Sequence, residues 1–145
     1  MNRPSESLVV DASVLIAAVL GRSSGAIKMV NETVALVTSE RVIEEARRRL
    51  TLGLKRPELL PVVDALVAVM TVAPSEALAP LLPQSEIVLK EAVASRNGST
   101  KDAHVLALAW SVDGDVWSMD RDFAGTGVAS WSTPNLLRGL ADAAI

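Results

Sequence analysis

Apolar residues follow two patterns along the chain: short uninterrupted runs, and longer segments with helical spacing. Residues 8–10 form an uninterrupted run, which is typical of a strand in a parallel sheet that is covered on both faces. Residues 100–112 place apolar side chains on one helical face. The two patterns predict strands at residues 8–10, 34–38, 71–73, 115–119 and 127–131. They predict helices at residues 14–20, 23–31, 40–54, 58–70, 87–95, 100–112 and 134–144.

Proline and glycine mark the connections between these elements. The proline-rich residues 74–83 predict a loop with at most one helical turn, and Asn97-Gly98 predicts a turn. Because strands alternate with helices, the sheet should be parallel with right-handed crossovers. The predicted fold class is therefore α/β: a three-layer α/β/α sandwich around a central parallel sheet of four or five strands, with the first strand near the middle. The expected organisation is a single domain over residues 1–145.

Composition narrows the chemistry that the chain can carry out. The 145 residues include no Cys and a single His, which excludes disulfides and thiolate metal sites and argues against a Ser-His-Asp triad. A net charge of −3 has the wrong sign for a protein that binds nucleic acid mainly by charge. A polyanionic substrate would therefore need a bound cation or a local arginine patch.

Hydropathy bears on location and partners. Charged residues and prolines interrupt every long apolar segment, and the first six residues lack a secretory apolar core. Both features predict a cytoplasmic protein with no membrane partner. Half of the residues are hydrophobic, which indicates that some apolar surface is buried against another chain, as in a homodimer.

Four acidic residues lie where this topology can bring them together. Asp11 follows the first strand, Glu45 lies on the helix after the second strand, and Asp102 opens the helix before the fourth strand. Asp120 comes at the end of the fourth strand, and Asp122 follows it. Ligands bind at the carboxyl ends of the strands in open α/β sheets, so we expect an acidic site there. Hard cations such as Mg²⁺ prefer oxygen ligands and can activate a water against a phosphodiester.

Each acidic residue also has a purely structural interpretation, as a helix cap, a turn former or half of a surface ion pair. These interpretations are capping by Asp11 or Ser13, pairing of Glu45 with Arg49 and of Glu44 with Arg48, a capping box over residues 99–102, and a turn shaped by Asp120 and Asp122. A non-catalytic binding or scaffold module would show the acids apart or paired with arginines. An enzyme would show them clustered at one cavity.

Four segments in this order resemble the motifs of the PIN domain, the nuclease family that includes the VapC toxins of toxin–antitoxin pairs. In the first segment, VVDASVLI, Ser13 stands where the family often has Asn, Ser or Thr. In the second, SERVIEEARRRL, the register favours Glu45 over Glu44 as the acid, although the adjacent pair leaves both open. In this second segment Ala46 stands where the family commonly has Leu. The third and fourth segments are KDAHVLALA and SMDRDF, and the fourth begins with Ser118 at the position of a supporting hydroxyl.

The resemblance implies a PIN-like fold and a metal-dependent ribonuclease activity that cleaves RNA phosphodiester bonds. It implies a homodimer and, for a toxin, an antitoxin protein as partner. It also implies the residues of the site. By the resemblance, Mg²⁺ or Mn²⁺ is held by Asp11, Glu45, Asp102 and Asp120, with Asp122 helping in some members and with Ser13 and Ser118 in support.

Three further residues near the motifs bear on substrate and metal binding. Arg121 lies between two implied ligands, and Arg47 begins a run of three arginines, so both are candidates for contact with RNA phosphate. His104 is close to Asp102 in sequence, but neighbouring side chains on a helix point in different directions. We therefore expect His104 at the surface or behind the ligands rather than among them.

Overall fold

Strands and helices alternate along the chain, as the apolar pattern predicts. The computed structural model describes residues 3–22, 24–92, 100–119, 123 and 125–143. Its strands are β1 (Ser7–Val10), β2 (Ala35–Ser39), β3 (Thr71–Ala73), β4 (Asp115–Trp117) and β5 (Ser130–Trp131). Its α-helices are α1 (Ala12–Val19), α2 (Ser24–Asn31), α3 (Glu40–Arg48), α4 (Leu60–Val67), α5 (Ser75–Leu78), α6 (Leu82–Lys90), α7 (Ala103–Val112) and α8 (Thr133–Ala143).

The five strands form one parallel sheet with the order β3-β2-β1-β4-β5. In the register, Leu8 of β1 lies opposite Leu36 of β2 on one side and Asp115 of β4 on the other. This arrangement confirms the predicted parallel sheet and the predicted central position of the first strand. The carboxyl ends of β1 and β4 therefore lie side by side.

Helices cover both faces of this sheet. The chain runs from β1 through β2 to β3 in one direction and then returns past β1 to β4. Right-handed crossovers therefore put the helices between β1 and β3 and those between β3 and β4 on opposite faces. In agreement, α1 contacts α2, α3 and α4, whereas α7 contacts α5 and α6. The fold is the predicted PIN-like α/β/α arrangement.

The first strand and the helices α1 and α7 form the buried centre of the molecule. Leu8, Val9 and Val10 have no exposed surface, and every residue of α1 except Ser13 is buried. A helix that is apolar on all sides is expected only where other elements cover it. Polar side chains at the ends of these elements therefore face a largely dry environment. No helix in the described part of the chain is long and apolar enough to cross a membrane.

The predicted loop at residues 74–83 is wrong, because this segment is helical. It contains α5, a 3₁₀ turn over Ala79–Leu81, and the start of α6, which begins five residues before the predicted position. Pro80 and Pro83 each occupy the first turn of a helical segment, where proline loses no hydrogen bond and its fixed φ suits the helix. The prolines therefore start helical segments here instead of breaking them.

Other element boundaries differ by a few residues. The helix predicted at 40–54 ends as a π-helical turn over Arg49–Gly53, and the helix predicted at 58–70 begins with a 3₁₀ turn over Pro57–Leu59. Strand β4 is two residues shorter than predicted, and β5 begins three residues later. Gly127, the predicted start of β5, has a φ of 85°, which is incompatible with a strand. The predicted Asn97-Gly98 turn lies outside the described residues.

Gly114 gives a test of the packing beside β1. A Cβ atom at this position would lie 2.6 Å from the backbone oxygen of Ser7, so Gly114→Ala is expected to destabilise the fold by about 1–3 kcal/mol. Gly25→Ala is the matched control, because Gly25 lies in α2 with nothing within 4 Å of the added atom. It should be neutral or stabilising by up to about 1 kcal/mol. Urea unfolding of both variants measures the difference, and equal effects would contradict the close packing.

Candidate metal centre

The candidate site lies where the direction of chain progression through the sheet reverses. From β1 the chain continues to β2 on one side, while β4 lies on the other side of β1. Ligands bind at such switch points, outside the carboxyl ends of the strands. Asp11 follows β1 directly and Ser118 follows β4 directly, so both lie at the carboxyl ends of these strands, at the base of the site. The backbone N–H of Asp11 donates to the carbonyl of Trp117 at 3.1 Å and fixes the two strand ends together.

Asp11 is buried and its carboxylate accepts hydrogen bonds on both oxygens. Oδ1 accepts the backbone N–H of Ala12 at 2.8 Å, so Asp11 does cap α1. Oδ2 accepts the hydroxyls of Ser13 and Ser118, each at 3.0 Å. Ser13 in turn accepts the backbone N–H of Met119 at 3.0 Å. The capping interpretation is thus correct for Asp11, but capping uses one oxygen, and the two serines hold the carboxylate in a fixed orientation.

The Ser118 hydroxyl provides a stability test of this arrangement. Hydrogen bonds to charged groups contribute more than neutral ones, so Ser118→Ala is expected to cost about 1.5–3 kcal/mol. Ser85→Ala is the matched control, since Ser85 is equally buried but donates to the neutral carbonyl of Leu82 at 2.9 Å. It should cost about 0.5–1.5 kcal/mol. Chemical unfolding at neutral pH compares the two, and a loss at Ser118 no larger than that at Ser85 would contradict the charged acceptor.

Glu45 reaches the site from α3. Ser39 caps this helix by accepting the N–H of Val42 at 3.1 Å, which sets the direction of its first turns. Glu45 is half-buried, and its Oε2 is buried without a hydrogen-bond partner among the described residues. Burial raises the pKa of Glu45, and the negative charge of Asp11 raises it further, against the opposing charges of Arg49, Lys101 and Arg41.

The structure separates Glu45 from its neighbour Glu44. Glu44 is exposed and accepts a hydrogen bond from Arg48 at 2.7 Å, as the surface-pair interpretation predicts. In the part of the chain that the structure describes, Glu45 takes part in none of the ion pairs, so the predicted Glu45–Arg49 pair is absent. Arg49 still lowers the pKa of Glu45 through its charge. Of the adjacent pair, Glu45 is therefore the residue that faces the buried acids.

Asp102 and His104 come from the start of α7, and both are buried, with 7% and 3% of their surface exposed. Asp102 is the N-cap residue of α7, and its side chain forms no capping hydrogen bond to that helix. The interpretation of residues 99–102 as a capping box includes Ser99, which lies outside the described residues. Of the two positions expected for His104, at the surface or behind the ligands, its burial excludes the first. Because Asp102 precedes the helix, helical spacing does not separate the two side chains.

Three side chains converge at this point. One ligand atom from each of Glu45, Asp102 and His104 lies within 4.8 Å of the others, which is the single such group found among the described residues. Burial, together with the smaller effect of the Arg41 charge, lowers the pKa of His104 to about 4. The imidazole is therefore neutral at pH 7 and has a lone pair. Asp11 does not belong to this group, although its charge acts on Glu45.

The donor set suits a divalent cation. The half-buried Glu45 and the buried Asp102 and Asp11 place several carboxylates together. Burial raises the pKa of Glu45 most, and the charge of Asp11 adds to the rise. The buried Oε2 of Glu45 and the buried Nδ1 of His104 both lack hydrogen-bond partners within the described ranges. Buried polar atoms normally have partners, so these two atoms are available to a bound group such as a cation.

A cleft of about 320 Å³ opens beside the three side chains. Its lining has three basic residues and two acidic ones, despite the negative net charge of the chain. The lining residues are Arg41, Glu44, Glu45, Arg48, Ser75, Lys101 and His104. Positive charge thus surrounds the mouth of an acidic centre, an arrangement suited to a polyanion whose phosphate approaches a cation.

The remaining predicted site residues have different outcomes. Arg47 does not line the cleft; it forms an ion pair with Asp64 on α4. Asp120, Arg121 and Asp122 lie outside the described residues.

Sequence reasoning missed Arg41 and Lys101, and it did not place His104 among the ligands. Arg41, Glu45 and Arg48 are spaced i, i+4 and i+7, so helical periodicity could have placed both arginines on the face of Glu45. Lys101 directly precedes Asp102, and this adjacency was also a usable signal. His104 was not placed among the ligands because the helix was predicted to begin at residue 100, which would have put Asp102 and His104 on the same helix. The helix begins after Asp102 instead.

Comparison with known proteins follows this geometry. The family model of the PIN domain matches residues 9–141, a range that includes Asp11, Glu45, Asp102 and His104. No curated protein matches the chain. Because the family model covers nearly the whole sequence and the sheet has the corresponding α/β/α arrangement, the chain belongs to the PIN domain family.

Proposed function

We propose that this protein is a metal-dependent endoribonuclease that hydrolyses RNA phosphodiester bonds. PIN domains are generally nucleases that use divalent metal ions and act on RNA. The observation that carries the proposal is the convergence of Glu45 and Asp102, from α3 and α7, at a buried point beside Asp11. Carboxylates gathered in this way repel one another unless a cation lies between them.

Each side chain has a distinct role in the proposed mechanism. Glu45 and Asp102 would hold Mg²⁺ or Mn²⁺, together with Asp120 and, as in some family members, Asp122. A divalent ion bound there supplies an activated water and stabilises negative charge on the phosphodiester. Asp11 keeps a fixed carboxylate at the floor of the site, because Ser13 and Ser118 both donate to its Oδ2. This fixed orientation preserves the negative potential that attracts the cation.

Basic residues would bind the RNA backbone. Arg41, Arg48 and Lys101 line the cleft next to Glu45 and offer donors to phosphate oxygens. Arg48 would first have to leave Glu44, with which it forms an ion pair. The net charge of −3 would repel RNA, but these basic residues supply a local positive charge that can attract its phosphates. Arg121 and Arg47 stay proposed phosphate contacts, although Arg47 would first have to leave Asp64.

The alternative function, a non-catalytic binding or scaffold module, is less well supported. Such a module requires the acids to be apart or paired with arginines. Glu45 is in none of the ion pairs found in the described ranges, and its carboxylate lies near that of Asp102. The clustering favours the enzyme.

Cleavage of RNA with and without chelator tests the proposal. We expect the purified protein to cleave a labelled RNA in Mn²⁺ or Mg²⁺, to stop on addition of EDTA, and to resume when excess metal is restored. Asp102→Asn should lose cleavage while circular dichroism shows an intact fold. Cleavage that EDTA leaves unchanged, or that Asp102→Asn retains at the normal rate, would show that the metal centre is not responsible.

We further propose that the protein is a cytoplasmic homodimer and the toxin of a toxin–antitoxin pair. Exposed large apolar residues lie on consecutive elements from the end of α3 to the end of α4, which supports contact with another chain. These residues are Leu52, Leu54, Val62 and Val69. Sedimentation velocity tests the dimer, and a small reading frame beside the gene would support the antitoxin.

A further inference from the structure

His104 is a buried polar residue to which the proposed mechanism gives no role. Only 3% of its surface is exposed, and its Nδ1 has no hydrogen-bond partner in the described part of the chain. Leaving a buried polar atom without a partner costs free energy, and most such atoms in native proteins are satisfied. It is also the single histidine of the sequence. The buried Nδ1 of His104 therefore needs a partner other than the described residues.

The geometry around His104 fits a shared ion. A ring nitrogen lies within 4.8 Å of carboxylate oxygens of both Glu45 and Asp102. Around a six-coordinate ion with bonds of about 2.1 Å, neighbouring ligand atoms are about 3.0 Å apart and opposite ones about 4.2 Å apart, so three atoms within 4.8 Å of one another need only small side-chain movements to meet one ion. The buried Oε2 of Glu45 lacks a partner in the same region. A ring nitrogen of His104 and carboxylate oxygens of Glu45 and Asp102 thus lie near a common point.

We propose that His104 is a metal ligand, and that its nitrogen makes the centre bind first-row transition-metal dications such as Mn²⁺ and Zn²⁺ in preference to Mg²⁺. Mg²⁺ binds oxygen and exchanges its water for nitrogen reluctantly, whereas imidazole suits transition metals. A site made of carboxylates alone would lack this discrimination. The inference rests on the proposed function only in that both use Glu45 and Asp102.

Metal titrations of the wild type and His104→Asn test the selectivity. Asparagine keeps a polar side chain but replaces the ring nitrogen with a hard amide oxygen. Isothermal titration with Mn²⁺, Zn²⁺ and Mg²⁺ should show Mn²⁺ and Zn²⁺ affinities reduced by about 10–100-fold in the variant, with the Mg²⁺ affinity changed less than about threefold. An equal loss for all three ions, or no loss for any, would overturn the proposal.

The single histidine also allows a direct spectroscopic test on the wild type, which does not depend on whether the variant folds. In long-range ¹H–¹⁵N spectra, one imidazole nitrogen should change its chemical shift on saturation with diamagnetic Zn²⁺ and stay unchanged with Mg²⁺. Imidazole signals that ignore saturating Zn²⁺ would exclude ligation by His104.

The two proposals fail in different ways. If Zn²⁺ moves the imidazole signal but no metal supports RNA cleavage, the ligand assignment stands and the nuclease proposal fails. Suppose instead that RNA is cleaved in a metal-dependent way, that Zn²⁺ leaves the imidazole chemical shifts unchanged, and that His104→Asn keeps the metal affinities of the wild type. The nuclease proposal then stands and the ligand assignment fails.

Discussion

Glu45→Gln is expected to reduce RNA cleavage by at least about 100-fold, beyond the 10–100-fold typical of residues that only support a metal ligand. The substitution keeps the size of the side chain and removes the negative charge that faces Asp102 and His104. It should also abolish the rise in melting temperature that Mn²⁺ gives to the wild type, since an ion stabilises the fold only in proportion to its binding. Initial cleavage rates and thermal melts with and without Mn²⁺ measure both effects.

Glu44→Gln is the matched control, because it removes the same charge from an adjacent but exposed residue that pairs with Arg48. Cleavage and metal stabilisation should change little in this variant.

The raised pKa of Glu45 also predicts the sign of the effect on the metal-free protein. An acid with a higher pKa in the folded state gives stability that is present below its unfolded pKa and lost as pH rises through the folded value. At a pH above the folded value the charge of Glu45 therefore opposes folding, and there Glu45→Gln in EDTA should melt at the same or a higher temperature. A variant that melts well below the wild type would instead assign Glu45 a structural role.

Acidification should destabilise the metal-free protein through His104. Its pKa is lowered from 6.5 to about 4, because burial and the charge of Arg41 oppose protonation in the fold. Between these values the unfolded chain binds a proton that the folded chain does not, so the free energy of unfolding rises with pH over this window. At about 1.4 kcal/mol per unit, the contribution lost on acidification is up to about 3 kcal/mol. Urea unfolding in EDTA from pH 7 to pH 4 measures it.

His104→Asn provides the reference for this pH dependence. The variant cannot take up the proton, so its free energy of unfolding should fall less steeply between pH 6.5 and pH 4. The comparison uses the slopes, since the substitution also changes packing at all pH values. Parallel curves for the two proteins would mean that the histidine is protonated in the fold as easily as in the unfolded chain.

The apolar pattern predicted the fold well because burial acts on whole segments. The run at Leu8–Val10 is fully buried in the central strand, as its lack of polar residues requires. The predicted loop at residues 74–83 was wrong, because proline can either end a helix or start one. Pro80 and Pro83 were taken as helix breakers, but proline also starts helices, and only the surrounding packing decides between the two roles.

The candidate site was less predictable than the fold. Spacing along the chain suggested Glu45 and Asp102, and the register of the PIN-like motif favoured Glu45 over Glu44 while leaving both open. The structure separates the two because α3 packs with the Glu45 side chain partly buried, whereas Glu44 pairs with Arg48. His104 depended on a helix start displaced by a few residues. Boundaries of this kind are set by tertiary contacts, which the sequence pattern does not contain.

The reversal of chain direction at β1 has a consequence for cohesion of the molecule. Asp11 and Glu45 belong to the half of the chain that builds β1, β2 and β3, whereas Asp102, His104 and Ser118 belong to the half that returns to β4. An ion held between Glu45 and Asp102 would join these halves as a non-covalent cross-link. Loss of metal would then weaken the seam between β1 and β4 more than the interior of either half.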